Sequence, residues 1–276
     1  MKKPLVALPF VALTAIAAFT GSAVAADMPM KAPAPVAPVT NWTGCYVGAG
    51  LGYGMYNDDS FLFTNPATTP PGFARASTDL NQGGRGWIGT VQGGCDYQFH
   101  TGWSWLGDMV IGAFVDGDWT NISGDHTGDT PGVVGLNAVD KLTINSQWAV
   151  GGRAGVLVTP SLLTYVSGGY IQANMSGATY RSFAPPNTPN GDFINSQTYN
   201  GWFIGTGDEY SLGRLLPGLF WKTEYRFAQF GAKNVTVFTQ PLAPNGFLEH
   251  SAYTEQTIRS TLTFRFNWSG ASLGAN

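Results

Sequence analysis

Asn41-Trp-Thr-Gly-Cys-Tyr-Val-Gly-Ala-Gly-Leu-Gly-Tyr-Gly-Met-Tyr56 is the stretch on which the fold turns. Successive side chains of a β-strand point to opposite faces. Extended, this segment therefore carries Cys45, Val47, Ala49, Leu51, Tyr53 and Met55 on one face and Gly44, Tyr46, Gly48, Gly50, Gly52 and Gly54 on the other. A soluble sandwich would turn large apolar side chains to a second sheet and polar ones to water. Here the second face is reduced to glycine for most of its length. A small closed barrel in lipid needs that arrangement, with apolar side chains facing hydrocarbon and small or polar ones crowded into a narrow lumen.

Composition agrees with that reading. Charged residues make up 11% of the 276-residue chain, against roughly a quarter in soluble domains. After the N-terminus no run of about 18 apolar residues follows that would make a membrane helix. Glycine (37), tryptophan (9), tyrosine (11) and phenylalanine (17) are plentiful, as an aromatic-belted β-protein requires. A formal net charge of −3 gives no basic field and so excludes nucleic acid as a partner.

Residues 1–25 have the form of a secretory signal: Lys2 and Lys3, an apolar stretch from Leu5 to Phe19, and the small-residue site Ala23-Val24-Ala25. Cleavage there leaves 12 basic and 17 acidic residues, a formal −5. Residues 26–41, with Pro29, Pro33, Pro35 and Pro38, read as an extended periplasmic linker. The barrel is expected over 42–268 and a short tail over 269–276.

Eight strands can be laid along the chain. The first ends near Tyr56 and the second starts at Trp87, with Thr90, Gln92, Asp96 and Gln98 on one face and Val91, Cys95, Tyr97 and Phe99 on the other. The third, Trp103 to Trp119, turns Phe114, Asp116 and Asp118 inward, and the fourth, to about Val158, turns Arg153 inward. The fifth (Leu162 to Met175) alternates too poorly to assign its faces, and the sixth runs from about Asn200 to Tyr210. The seventh carries Lys222, Glu224 and Arg226 on one face, and the eighth carries Arg259, Thr261, Thr263 and Arg265 inward. Connections alternate between short and long, as periplasmic turns and external loops do. Long loops are expected at Asn57–Gly84, Thr120–Asp140, 176–198 and Gly231–Thr254. The tryptophans fall near strand ends, Trp42, Trp103, Trp105, Trp221 and Trp268 at periplasmic ends and Trp87, Trp119, Trp148 and Trp202 at external ones. The fold class is thus an all-β, eight-stranded, antiparallel up-and-down transmembrane barrel, or a ten-stranded one if a long loop folds into a hairpin of its own.

Asn41 to Tyr56, the Asp27-Met-Pro-Met-Lys-Ala-Pro-Ala-Pro35 segment, Val115-Asp-Gly-Asp-Trp119 and Phe264-Arg-Phe-Asn-Trp268 together resemble the small outer-membrane β-barrels of alphaproteobacteria. That family carries porin-family and outer-membrane immunogenic proteins and belongs with the OmpA-type barrels. The resemblance covers most of the mature chain. It implies insertion into the outer membrane by the barrel-assembly machinery, with Phe264, Phe266 and Trp268 supplying the terminal assembly signal. The chain departs from the pattern at Cys45, where an aromatic is frequent, and in the eight residues after Trp268, which leave Phe266 or Trp268 as the terminal aromatic.

No catalytic or metal constellation stands out, and no cofactor is expected. Glu249, His250 and Ser251 are adjacent, a spacing that does not bring nucleophile, base and orienter together. Asn57-Asp58-Asp59 and Asp125 to Asp129 lack the ligand spacing of a calcium loop. Cys45 and Cys95, on outward faces near the periplasmic ends of the first two strands, are expected to form a disulfide in the oxidising periplasm. Asp116, Asp118, Arg153, Lys222, Glu224 and Arg226 are expected to form a lumen charge network. Three functions follow from the barrel: a structural envelope protein exposing surface loops, a narrow porin, or a surface receptor binding a ligand such as haem. Outer-membrane lipid surrounds it in each case, and a monomer is expected.

Overall fold

The structure, a computed structural model, describes residues 40–67, 74–102, 107–128, 138–181 and 189–266. The signal segment, the linker before Thr40, Trp103, Trp105, Trp268 and the tail lie outside the described residues. Every regular element described is a strand: β1 (Gly44–Thr64), β2 (Leu80–His100), β3 (Asp108–Gly128), β4 (Ala138–Thr159), β5 (Leu162–Met175), β6 (Ala178–Arg181), β7 (Pro189–Ile194), β8 (Gln197–Ser211), β9 (Leu219–Phe230), β10 (Lys233–Thr239) and β11 (Ala243–Phe266).

Eight of these close a ring in the order β1-β2-β3-β4-β5-β8-β9-β11, and β11 pairs back onto β1 from Cys45↔Phe266 to Thr64↔Phe247. Neighbours in the ring are antiparallel throughout. Closure leaves the ring no free edge, the condition for a sheet to stand in hydrocarbon. The other three strands extend ring members outward and add none. β10 takes over from β9 beside β11, β7 pairs with β10, and β6 pairs with β7. The breaks fall at Ser176-Gly177, Asn195-Ser196 and Gly231-Ala232. At the first of them the Ser176 N–H donates to Thr143 O at 2.8 Å, tying it to β4.

The strands thus run well beyond the lengths expected from sequence, and much of the four long loops is strand. Asn57 to Ser60, polar and loop-like in composition, is extended because it pairs on both sides, with β2 and β11. Outward aromatics mark the membrane. Tyr53, Trp87, Trp119, Trp148, Tyr170, Trp202 and Phe227 stand one each on β1, β2, β3, β4, β5, β8 and β9, with Tyr53 beside Trp87, Trp148 beside Tyr170 and Trp202 beside Phe227. Tyr97, Tyr210, Trp221, Phe264 and Phe266 form the opposite girdle, all exposed. On β8 the eight-residue step from Trp202 to Tyr210 is about 26 Å of strand at about 3.3 Å per residue. At a tilt of about 40° that is about 20 Å of thickness, near the apolar band of outer-membrane barrels. Between the girdles the outward residues include Val47, Leu51, Val91, Ile111, Val115, Val150, Val166, Ile204 and Leu262, all exposed. Trp42, expected at the periplasmic end, is there but inside the barrel mouth and fully buried.

Candidate functional site

The interior is the candidate site, and its described side chains form three layers. The periplasmic layer is an apolar plug of Trp42, Val110, Leu163, Tyr165 and Phe220. Trp42 enters from the segment before β1. Its backbone N–H donates to Gln98 Oε1 at 3.0 Å, its indole N–H donates to Pro160 O at 3.3 Å, and its ring lies 4.8 Å from Phe220.

The middle layer, at the height of the lipid belt, is charged and has two tiers. In the lower one Asp96 (β2), Arg153 (β4), Glu209 (β8) and Arg265 (β11) alternate in sign around a closed ring. Arg153 donates Nε and Nη2 to Asp96 at 2.9 and 2.5 Å and Nη1 to Glu209 at 2.8 Å, and Arg265 donates to Asp96 at 2.7 Å and to Glu209 at 3.1 Å. Arg153 is held between the rings of Tyr46 and Tyr165, 4.9 and 5.0 Å away. In the upper tier Arg226 chelates Asp116 at 2.8 and 3.1 Å and reaches Glu224 at 2.7 Å. Lys222 pairs with Glu224 at 3.2 Å, and Arg259 bonds Asp116 at 3.0 Å. Arg259 Nη2 also lies 2.7 Å from Asp118, an ion pair off the line of its N–H bonds. Tyr165 joins the tiers by donating its hydroxyl to Glu224 at 2.8 Å beside Arg153.

Five carboxylates (Asp96, Asp116, Asp118, Glu209, Glu224) thus face five cations (Arg153, Lys222, Arg226, Arg259, Arg265), all buried. These ten balance in charge, which matters because an unpaired buried charge costs several kcal/mol (roughly 3–5); a further buried carboxylate, Glu255, lies four residues along β11 from Arg259. A void in the upper tier, lined among others by Gln92, Asp116, Lys222, Arg226 and Thr261, is about 10 Å³. That is room for about one water.

The glycine-bare face of β1 has its reason here. A Cβ on Gly50 would stand 2.1 Å from Ser260 O and 2.6 Å from the Thr261 side chain of the paired β11, and on β3 one on Gly112 would stand 1.9 Å from Asp96 Oδ1. Small residues make space for the large polar ones.

Above the outer girdle the polarity inverts. The interior becomes an apolar core that includes Leu62, Ile122, Leu142, Ile144, Ile194, Val235 and Val237, while outward positions such as Asp59, Asn81, Arg85 and Asp125 are polar. Tyr180 on β6 donates to buried Glu249. Burial first, and then the Glu249 carboxylate, push the Tyr180 hydroxyl well above its ordinary range, so it keeps its proton.

All six residues expected to form the lumen network lie inside it, together with Asp96, Arg259 and Arg265, whose inward faces alternation also gave. Glu209 was not expected. Its signal was available, since Trp202 facing lipid puts Ile204, Thr206, Asp208 and Tyr210 outward and Glu209 inward. The fifth strand, unassigned from sequence, turns Leu163, Tyr165 and Ser167 inward and Thr164, Val166 and Tyr170 outward. Cys45 and Cys95 are paired in register and joined in a disulfide on the outward face. Phe264 and Phe266 point outward at the periplasmic end of the last strand. Glu249 and Ser251 face inward, with Ser251 donating to Glu249 at 3.1 Å, while His250 faces outward and stacks on Phe61. The three do not converge. Asp58 is buried and Asp59 points out to Asn81. Among the described residues no group of three or more His, Cys, Asp or Glu could hold a metal.

A closed ring of eight antiparallel strands, apolar between two aromatic girdles outside and charged within, defines an outer-membrane β-barrel protein, and this chain is one, located in the cell outer membrane. No protein-family model matches it. It is similar to the 25 kDa outer-membrane immunogenic protein of Brucella abortus, at 27% identity over 232 residues that cover 82% of each chain, and the proteins of that name from Brucella melitensis and Brucella suis match equally. Among solved structures it resembles the outer membrane protein AlkL (14% identity, 88% of this chain and 99% of that one, TM-score 0.40). It also resembles Ail, the attachment invasion locus protein of Yersinia pestis (10% identity, 80% and 99%, TM-score 0.32). Likenesses of that degree say nothing of what the chain does.

Proposed function

We propose that this protein is a structural element of the outer membrane, a barrel closed to solutes that braces the envelope and presents its outward extension at the cell surface. The observation that carries this reading is how the described side chains fill the lumen: plug, paired charges and apolar core, one above another. A porin needs a hydrated path, and the interior of eight strands is just wide enough for side chains. Each charge of the network has an ion-pair partner within it, which disfavours the passage of a free ion. The outward aromatics Phe264 and Phe266 suit the terminal signal for the assembly machinery, and the unbroken apolar belt suits a monomer surrounded by lipid.

Deleting the gene separates the structural reading from the porin one by sign. Loss of a structural barrel raises entry of large dyes and antibiotics that the outer membrane excludes, and re-expression restores exclusion. Loss of a porin lowers uptake of small hydrophilic solutes. Slower sugar uptake with unchanged dye exclusion would overturn the proposal.

A further inference from the structure

The lipid-facing side of the barrel is uneven, and one groove in it has the shape and surroundings of a lipid site. It lies across β1, β11 and β9, has a volume of about 420 Å³, and is walled by Leu51, Tyr53, Trp87, Ile258 and Trp221 over a floor that includes Thr223 and Ser260. Pairing sets these residues side by side: Tyr53 opposite Trp87 and Ile258, and Ser260 opposite Leu51 and Thr223. The walls are large and exposed, Trp87 at 67% and Leu51 at 66%. The floor is small.

The ends of the groove differ. Tyr53 and Trp87 belong to the outer aromatic girdle. At the other end the Trp221 indole folds back and donates its N–H to Ser260 Oγ at 2.8 Å. The groove is therefore open toward the outer leaflet and stopped below. That hydrogen bond also occupies the polar atom of Ser260, so an occupant meets a surface that is almost entirely carbon. A second copy of the chain would gain few hydrogen bonds there, whereas a hydrocarbon chain needs none.

Directly above the open end stands a cation. Arg85 lies two residues beyond Trp87 on β2 and on the same face, about 7 Å along the strand, and it is exposed. Among the described residues it has no ion pair or hydrogen bond. A guanidinium has a rigid fork of donors that matches phosphate, and at the membrane interface it would meet a lipid headgroup.

We propose that this groove and Arg85 form a binding site for an anionic, phosphate-bearing lipid of the outer leaflet. One acyl chain lies along Leu51, Ile258 and Ser260 down to Trp221, and the phosphate is held by Arg85. The site is continuous with the lipid belt and independent of whether the lumen conducts.

Native mass spectrometry of the intact barrel, released from detergent with phosphatidic acid or with phosphatidylcholine of identical chains, tests it. Wild type is expected to retain one phosphatidic acid in preference to phosphatidylcholine. Arg85→Gln should lower that preference about fivefold, the effect of one basic residue at an anionic membrane surface. Arg214→Gln, which removes an exposed charge from the turn before β9 at the opposite end, should leave it unchanged. Ser260→Phe fills the groove and should abolish retention of both lipids, and Thr223→Phe does the same from the neighbouring strand should the first variant not fold. Equal retention of the two lipids by wild type would overturn the proposal. So would wild-type retention in a folded groove-filling variant, or a lipid-free dimer as the species released.

Discussion

Removing Arg153 opens the lower charge ring, and the cost can be worked from its geometry. The guanidinium makes three charge-assisted bonds, two to Asp96 and one to Glu209, and stands between two tyrosine rings. Without it Asp96 and Glu209 share Arg265 alone, so two buried carboxylates face one cation. Breaking a buried pair by deleting one partner costs about 3–5 kcal/mol, because the other charge is left uncompensated in a dry site. Arg153→Met keeps most of the volume and isolates the charge effect. Reversible urea unfolding of the barrel in detergent micelles is the assay: the midpoint should fall with an unchanged slope, since the surface exposed on unfolding is the same. Adding Glu209→Gln to Arg153→Met leaves the balanced pair Asp96 and Arg265 and should recover a large part of the loss, a coupling that independent sites do not show. If Arg153→Met unfolds within about 0.5 kcal/mol of wild type, the range of an ordinary surface substitution, the ring contributes nothing and the reasoning fails.

Other outcomes follow from the same structure. Gly112→Ala places a methyl group where Asp96 Oδ1 now lies, and should destabilise by about 1–3 kcal/mol, as overpacking does; the same urea titration reads it. Thiol labelling of the mature protein, denatured but unreduced, should find no free thiol on Cys45 or Cys95, and two labels per chain would refute the bridge. Replacing both by serine should cost about 2–4 kcal/mol, measured on the oxidised wild type as reference. Intact mass of protein taken from outer membranes should correspond to a chain beginning at Ala26, with an electrophoretic shift between unheated and boiled samples; a mass that includes residues 1–25 would remove the export signal from the account.

How far the fold could be read from sequence depended on where each strand stood. Within the lipid belt the two solvents are opposite, hydrocarbon outside and a polar lumen inside, so alternation was legible wherever both faces carried distinctive residues. Lys222, Glu224 and Arg226 against Trp221, Tyr225 and Phe227 show it most plainly. Glu209 was lost because Asp208 and Glu209 are adjacent and give charge to both faces. Asp208 lies outward near the periplasmic girdle, where it accepts a hydrogen bond from Thr164 at 2.6 Å. Above the outer girdle the solvent outside is water, and the inward residues become Leu62, Leu142, Ile144 and Val237. A pattern sought as apolar outside and polar inside therefore breaks off at that height although the strands do not. That is why the extensions read as loops. The partners of each lumen charge were illegible for another reason: alternation gives a face, but which carboxylate meets which cation depends on the stagger between strands.

Conductance distinguishes a sealed barrel from an open one. Purified protein, reconstituted into planar lipid bilayers at neutral pH, should insert without steady current over a range of voltages, as the proposed closure of the lumen by plug, paired charges and apolar core requires. Discrete, stable openings of the wild-type protein that scale with salt concentration would show a water-filled lumen and contradict the account.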